Sequence, residues 1–323
     1  MKTNPASAPG PRARFPLSLL LGAAALCALP AATHAQDVFI TNGDTIGEYD
    51  AATGDPVNAT LVSGLDGPQG LALSGSALFV ANYHIGTIGE YDAATGATIN
   101  ATLVSGLDGP VGLVVSGPDL FVANLLGGTI GEYDAATGAT INATLVSGLN
   151  EPAGLALSGT DLFVAIRLSG SIGVYDTTTG DPVNATLVSG LSIPNSVGVS
   201  GPDIYVANNG SGAIGEYNAT TGAIVASALV SGFSDVYGLA LSGPNLFVTD
   251  GVSNTTSVYN ATTGDPVYTP LISGLDSPAF LVVGTVPEPS AWPLLAAIAT
   301  LLATLHRRQS RPPPHQRLAT PLR

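Results

Sequence analysis

The stretch from Gly70 to Gly96, "GLALSGSALFVANYHIGTIGEYDAATG", decides the fold because it returns. "LFVAN" begins at Leu78 and again at Leu120. "LFVAI" follows at Leu162, "IYVAN" at Ile204 and "LFVTD" at Leu246, each 42 residues after the last. A shorter first copy, "VFITN", starts at Val38. A period of this size, with several short apolar runs per unit, is the mark of propeller blades. A helical solenoid of similar period is excluded, because Gly or Pro interrupts nearly every stretch of ten residues.

Within one unit four strands are legible. "GLALSG" from Gly70 is the first, "LFVAN" the second, "TIGEYD" from Thr87 the third, and "ATINATLVSGL" from Ala97 contains the fourth. The intervening "DAATG", Asp92 to Gly96, is a turn: the Asp side chain can bond backbone N–H groups ahead of it and the Gly supplies positive φ. The strands are apolar on both faces, as expected of blades packed against two neighbours. First-strand copies start near Gly70, Gly112, Gly154, Val197, Gly238 and Phe280, making six. The chain opens on a second strand and closes on a first strand, Ala279 to Gly284, so the last strand is expected to complete the first blade and seal the ring. The predicted fold is an all-β, six-bladed propeller over 36–285.

Charge is distributed unevenly. Of 23 acidic residues only Glu288 lies outside Gln36 to Val286, leaving 22 there against the single base Arg167, a net −21. Such a surface repels nucleic acid and anionic headgroups. Lys2, Arg12 and Arg14 precede an apolar run from Phe15 to Ala32, followed by Thr33-His34-Ala35. That is the form of a secretory signal over 1–35, cleaved before Gln36. The only cysteine, Cys27, would leave with it, so disulfide and thiol chemistry are excluded from the mature protein.

Several repeated columns invite chemical readings. Glu48, Glu90, Glu132 and Glu216 share one position, but Val174 and Val258 occupy it in the other two blades, which favours packing over a metal ring. Asp50, Asp92, Asp134, Asp176, Asn218 and Asn260 are the turn residues. Asn-Ala-Thr at Asn58, Asn100, Asn142, Asn184, Asn218 and Asn260 has the form of a glycosylation acceptor, yet the first four enter a strand and the last two sit in the turn. The copies diverge on one face only, in the loops after the second strand and just before the first. If the protein binds a ligand, Tyr83, His84, Arg167, Asn195, Asp235 and Tyr237 are the expected lining. His84 is the sole histidine of this region and lysine is absent from it, so a Ser-His-Asp triad would need partners from other blades. No catalytic residue, metal ligand or cofactor is assigned.

The pattern P-x-G-L-A-L-S-G-x-x-L-F-V-A-N, continuing into I-x-E-Y-D-x-x-T-G, resembles the NHL and related SMP-30/YVTN-type propeller repeats over roughly Val38 to Gly284. That resemblance implies the fold. It leaves function open among lactonases, lyases, ligand sensors and scaffolds. An SMP-30-like enzyme would hold a divalent cation at the channel mouth; Asn82, Asn124, Asn208 and Asp250 match that loosely, with Ile166 interrupting the series.

The chain ends differently. "VPEPSAWPLLAAIATLLATLHRR", Val286 to Arg308, begins with Pro287 and Pro289 holding Val286 and Glu288 extended. A charge-free run from Ala291 to Leu305 would form a helix of roughly 22 Å, short of the roughly 30 Å hydrocarbon core, with Arg307 and Arg308 on the cytoplasmic side. This resembles the PEP-CTERM sorting signal, over 286–308, with 309–323 a basic, Pro-rich disordered tail. The resemblance implies processing by an exosortase-type membrane enzyme, commonly alongside extracellular polysaccharide. The expectation is therefore an exported propeller that passes through an inner-membrane intermediate to the cell surface or medium. Its role would be a non-enzymatic scaffold or adhesive. The alternatives are an SMP-30-like lactonase or lyase, or a carbohydrate- or peptide-binding module. A mouth crowded with Glu, Asp, Asn and His would favour the enzyme, and a dry or glycine-lined one the scaffold.

Overall fold

In the computed structural model, which describes residues 36–286, 24 strands numbered β1–β24 in chain order form six four-stranded antiparallel sheets. The only helical element among the described residues is a single 3-10 turn, Asn209–Ser211. The second blade shows the unit: β4 (Pro68–Ser74), β5 (Ala77–Asn82), β6 (Thr87–Asp92) and β7 (Thr98–Ser105), hydrogen-bonded in that order. The four predicted strands fall where the repeat placed them.

The six inner strands are β4, β8 (Pro110–Ser116), β12 (Pro152–Ser158), β16 (Pro194–Ser200), β20 (Val236–Ser242) and β24 (Leu281–Gly284). Each touches the next and β24 returns to β4, which closes the ring. The first blade is the composite one, ordered β24-β1-β2-β3, with β1 (Asp37–Asn42), β2 (Thr45–Asp50) and β3 (Pro56–Ser63). In the clasp Asp37 faces Gly284 and Ile40 faces Leu281. The strand is shorter than the expected Ala279 to Gly284. Ala279 and Phe280 donate their backbone N–H groups to the Thr41 hydroxyl, at 3.2 and 3.0 Å, instead of joining the ladder. The Phe280 carbonyl accepts the Thr41 N–H at 3.1 Å.

The core is a set of seams between blades. One seam joins Phe79, Ile88 and Val104 of the second blade to Leu120, Val122 and Tyr133 of the third. This is why the second strands are apolar throughout: both faces of each are covered. The inner strands approach one another so closely that a Cβ on Gly70 would lie 1.8 Å from the carbonyl oxygen of Val111. Val286, expected to open the sorting signal, is only 6% exposed and packs with Phe39, Leu65 and Leu71 between the first and second blades. The folded body therefore extends through Val286.

No helix among the described residues is long and apolar enough to cross a membrane. The expected signal peptide over 1–35, the sorting residues Pro287, Glu288, Pro289, Arg307 and Arg308, the membrane helix and the basic tail all lie outside the described residues.

Candidate functional site

Two columns of the repeat meet at one end of the channel. The residue after the leading Pro or Val of each inner strand supplies Gln69, Val111, Ala153, Asn195 and Tyr237; the residue after each second strand supplies Tyr83, Leu125 and Arg167. With His84 and Phe280 these line a cavity of about 230 Å³. That is just under the roughly 300–1,000 Å³ usual for small-ligand sites, a volume suited to the end of a ligand.

Five of the six expected face residues, Tyr83, His84, Arg167, Asn195 and Tyr237, come together here. Asp235 does not. Its carboxylate accepts a hydrogen bond from the Asn209 amide, and it borders a neighbouring depression with Tyr237, Gly251 and Val252. Leu125 and Phe280 were not picked out from the sequence. The available signal for Phe280 was its place in the repeat, where Gly70, Gly112, Gly154 and Gly238 stand in other blades.

The floor is apolar: Val111, Leu125, Ala153, Ala279 and Phe280 form one buried cluster, with Tyr83 and Tyr237 packed against it. Tyr237 meets Phe280 edge-on with ring centroids 6.0 Å apart, and Tyr83 meets His84 likewise at 5.5 Å. Burial pushes the Tyr237 hydroxyl above its ordinary range; Arg167 pulls it down, and Asp235 and Tyr83 push it up. Arg167 Nη1 lies 3.7 Å from Glu151 Oε2, and its buried Nε has no hydrogen-bond partner in the protein. Asn195 is 1% exposed and neither atom of its amide is partnered. A buried amide left in that state costs on the order of 1–3 kcal/mol, so its natural complement is a group that reaches it from the cavity.

The backbone around the mouth is also unusual. The repeat position filled by Gly67 and Gly109, both with positive φ, holds Glu151 at φ 58°, Ile193 at 50° and Ser277 at 48°. A β-branched residue in the left-handed region is a true outlier.

His84 Nδ1 sits 2.9 Å from Asp66 Oδ1, with both side chains more than half exposed. Asn82 and Asn124 direct their amide N–H groups to Thr87 and Thr129 on the adjacent third strand, at 3.4 and 3.2 Å. Asp250 accepts bonds from Ser234, Asp235 and Ser253. Among the described residues no group of three or more His, Cys, Asp or Glu could hold a metal ion.

The remaining columns are structural. Glu48, Glu90, Glu132 and Glu216 sit on third strands opposite Phe39, Phe79, Phe121 and Tyr205 of the second strands, and none lines the cavity. Burial, helped by the Asp37 carboxylate, pushes the Glu48 carboxyl up to about 7. Burial also raises Glu216, while the Tyr205 hydroxyl donates to its Oε1 at 3.1 Å and offsets part of the rise. Asn58, Asn100, Asn142 and Asn184 each accept the N–H of the Thr two residues on, at 3.1–3.2 Å. They stand where the outer-strand register shifts. In these four copies the Asn side chain braces a β-bulge that also forms at Ala226 and Tyr268 in the last two blades.

The fold and this cavity define a class: a closed six-bladed propeller with an amphipathic depression at one end of its channel. No protein-family model and no curated protein matches the chain. Among solved structures 1066 chains match, so the fold is common and a poor guide to activity. One comes from the crystal structure of a nidogen/laminin complex: 14% identity, TM-score 0.68, covering 77% of this chain and 98% of that one. Another, the computationally designed Ika8 protein, is 19% identical over 76% of this chain and 77% of its own, with a TM-score of 0.49. The likeness to the nidogen/laminin chain is one of fold. The NHL-type resemblance rests on the repeat residues alone.

Proposed function

We propose that this protein is an exported, non-enzymatic binding propeller that acts in the extracellular matrix through the mouth of its channel. The observation that carries the reading is the cavity itself. The only arginine and the only histidine between Gln36 and Val286 line it, beside an unpartnered buried amide and an aromatic wall. Its walls are neither the acidic, metal-holding cluster that an SMP-30-like enzyme would need nor a dry glycine lining. They are the mixture of apolar surface and a few placed polar groups by which small-ligand sites bind. The nidogen/laminin structure supplies a precedent of the same fold in a protein–protein complex.

Export is part of the same reading: a leader over 1–35 carries the propeller across the inner membrane, and a PEP-CTERM-type signal hands it to an exosortase-type enzyme. The sequence features of both ends support this, as does the acidic, cysteine-free body. Surface proteomics of the native cell tests delivery; peptides from Ala291 to Arg323 persisting in surface material would show an ordinary anchor. The purified full chain is expected to show no lactonase or lyase turnover with or without added divalent cations. Turnover abolished by chelation would replace binding with catalysis.

A further inference from the structure

We infer, building on the binding reading above, that the channel mouth receives the carboxyl terminus of an extended peptide. The terminal carboxylate goes to Arg167, and the apolar residues before it lie across a groove between Leu126 and Leu168.

Charge selects the end group. Arg167 is the only arginine or lysine among the described residues, set against 22 acidic ones, so it is the one permanently cationic side chain there that can draw an anion. A guanidinium offers five N–H donors in a planar fork that matches a carboxylate. Glu151 does not use them up, since its nearest oxygen is 3.7 Å from Nη1, beyond hydrogen-bonding distance. A polyanion would meet the surrounding acids, so the ligand brings a single negative charge and brings it to the centre.

The buried amide selects what precedes that charge. Asn195 belongs to the cavity lining, and its donor pair and acceptor are both unpartnered and buried behind the wall, where a small turn of the side chain would offer them to a ligand. A peptide unit carries the complementary acceptor and donor side by side, so one backbone amide can satisfy both atoms.

The groove selects the side chains. Leu125 is shared between the central cavity and a second one of about 360 Å³, bounded by Leu126, Leu149, Glu151 and Leu168. Leu126 and Leu168 are 60% and 61% exposed, and they occupy the column that holds His84, Gly210 and Val252 in other blades. Exposed leucines flanking a cleft that opens onto a cationic end fit apolar side chains, and are poorly matched to a hydroxylated sugar. The small central volume accepts one terminal residue, and the groove takes the next.

The test uses the purified full chain and calorimetric titration with two probes. One is a pool of N-acetylated tripeptides of Ala, Val and Leu with free carboxyl termini; the other is the same pool amidated. The acid pool should bind at least tenfold more tightly than the amide pool. Arg167→Gln should erase that difference, whereas Leu126→Ser with Leu168→Ser should weaken the acid pool about tenfold and keep the preference. Glu151→Gln, which leaves the arginine in place, should tighten the acid pool several-fold; melting curves confirm that each variant is folded. Equal binding of acid and amide overturns the inference. So does binding of free glucuronate with silence from both pools, although the binding-face reading then survives. Silence from peptides and glucuronate alike sinks both.

Discussion

The two faces of the ring are built from the same 42-residue unit, and they have fared differently. On the face away from the cavity the turn after the third strand is nearly the same in every blade. Asp50, Asp134, Asp176, Asn218 and Asn260 each accept the backbone N–H groups two and three residues on. The turn is also a joint. Gly96 has φ 69°, and a Cβ there would fall 1.9 Å from the carbonyl oxygen of Leu61 in the preceding blade. Two independent demands fix that residue, and drift is stopped. On the cavity face Tyr83, Leu125, Arg167, Asn209 and Gly251 share a single column, whose side chain changes in size and chemistry from blade to blade. Uniform repeats therefore mark where blades hold one another, and a divergent column marks where the molecule can specialise.

The largest expected effect comes from breaking the ring that both faces share. Ending the chain after Pro278 removes β24, strips the first blade of its inner strand and bares the edge of β1. Circular dichroism should show loss of the cooperative melt. A truncated protein melting like the intact one would mean that the blades stand without closure.

A smaller effect tests whether a repeated column always supports stability. Glu48 has a folded-state value near 7 against 4.5 when unfolded. Below about pH 4.5 both states hold the proton and nothing is lost. Between about pH 4.5 and 7 the unfolded carboxylate is ionised while the folded carboxyl keeps its proton, so stability falls across that window, on the order of 1–3 kcal/mol in all, and levels off above 7. Denaturant melts of Glu48→Gln against the parent should diverge over that window, the variant being the more stable above pH 7. Parallel curves would show that the carboxyl is already solvated.

The two smallest predictions set the faces against each other directly. Asn218→Ala on the uniform face removes the acceptor for Thr220, Thr221 and the Thr221 hydroxyl, and should cost about 1 kcal/mol. Ile193→Gly on the cavity face releases a β-branched residue from φ 50° and should gain about 0.5–1 kcal/mol. Denaturant midpoints measure both. If Ile193→Gly destabilises, that side chain contributes packing that outweighs its backbone strain.

The fold was legible because the repeat states it six times: strand order, turn chemistry and closure all follow from "LFVAN" and "DAATG" recurring in phase. Half of the cavity was legible too, since Tyr83, His84, Arg167, Asn195 and Tyr237 break their columns with conspicuous side chains. Leu125 and Phe280 were hidden because apolar residues are unremarkable in an apolar strand sequence. Only the ring brings them to the channel, where the position of Phe280 is glycine in four other blades and serine in the fifth. The bulge role of Asn-Ala-Thr was hidden for a different reason. Alternation within one strand says nothing about a register shift against its neighbour.

The clasp has one more consequence. Asp37 and Gly284 are register partners, so the ends of the folded body meet within one strand spacing, about 5 Å. A linear chain has acquired a cyclic native state, in which no blade is first except by the accident of where the backbone is interrupted. Joining Gln36 to Val286 through a short linker and reopening the chain in any turn of the uniform face would give a permuted protein with the same neighbours throughout. Reopened at Ala94, for example, the second blade would become the composite one, and the first would be covalently whole.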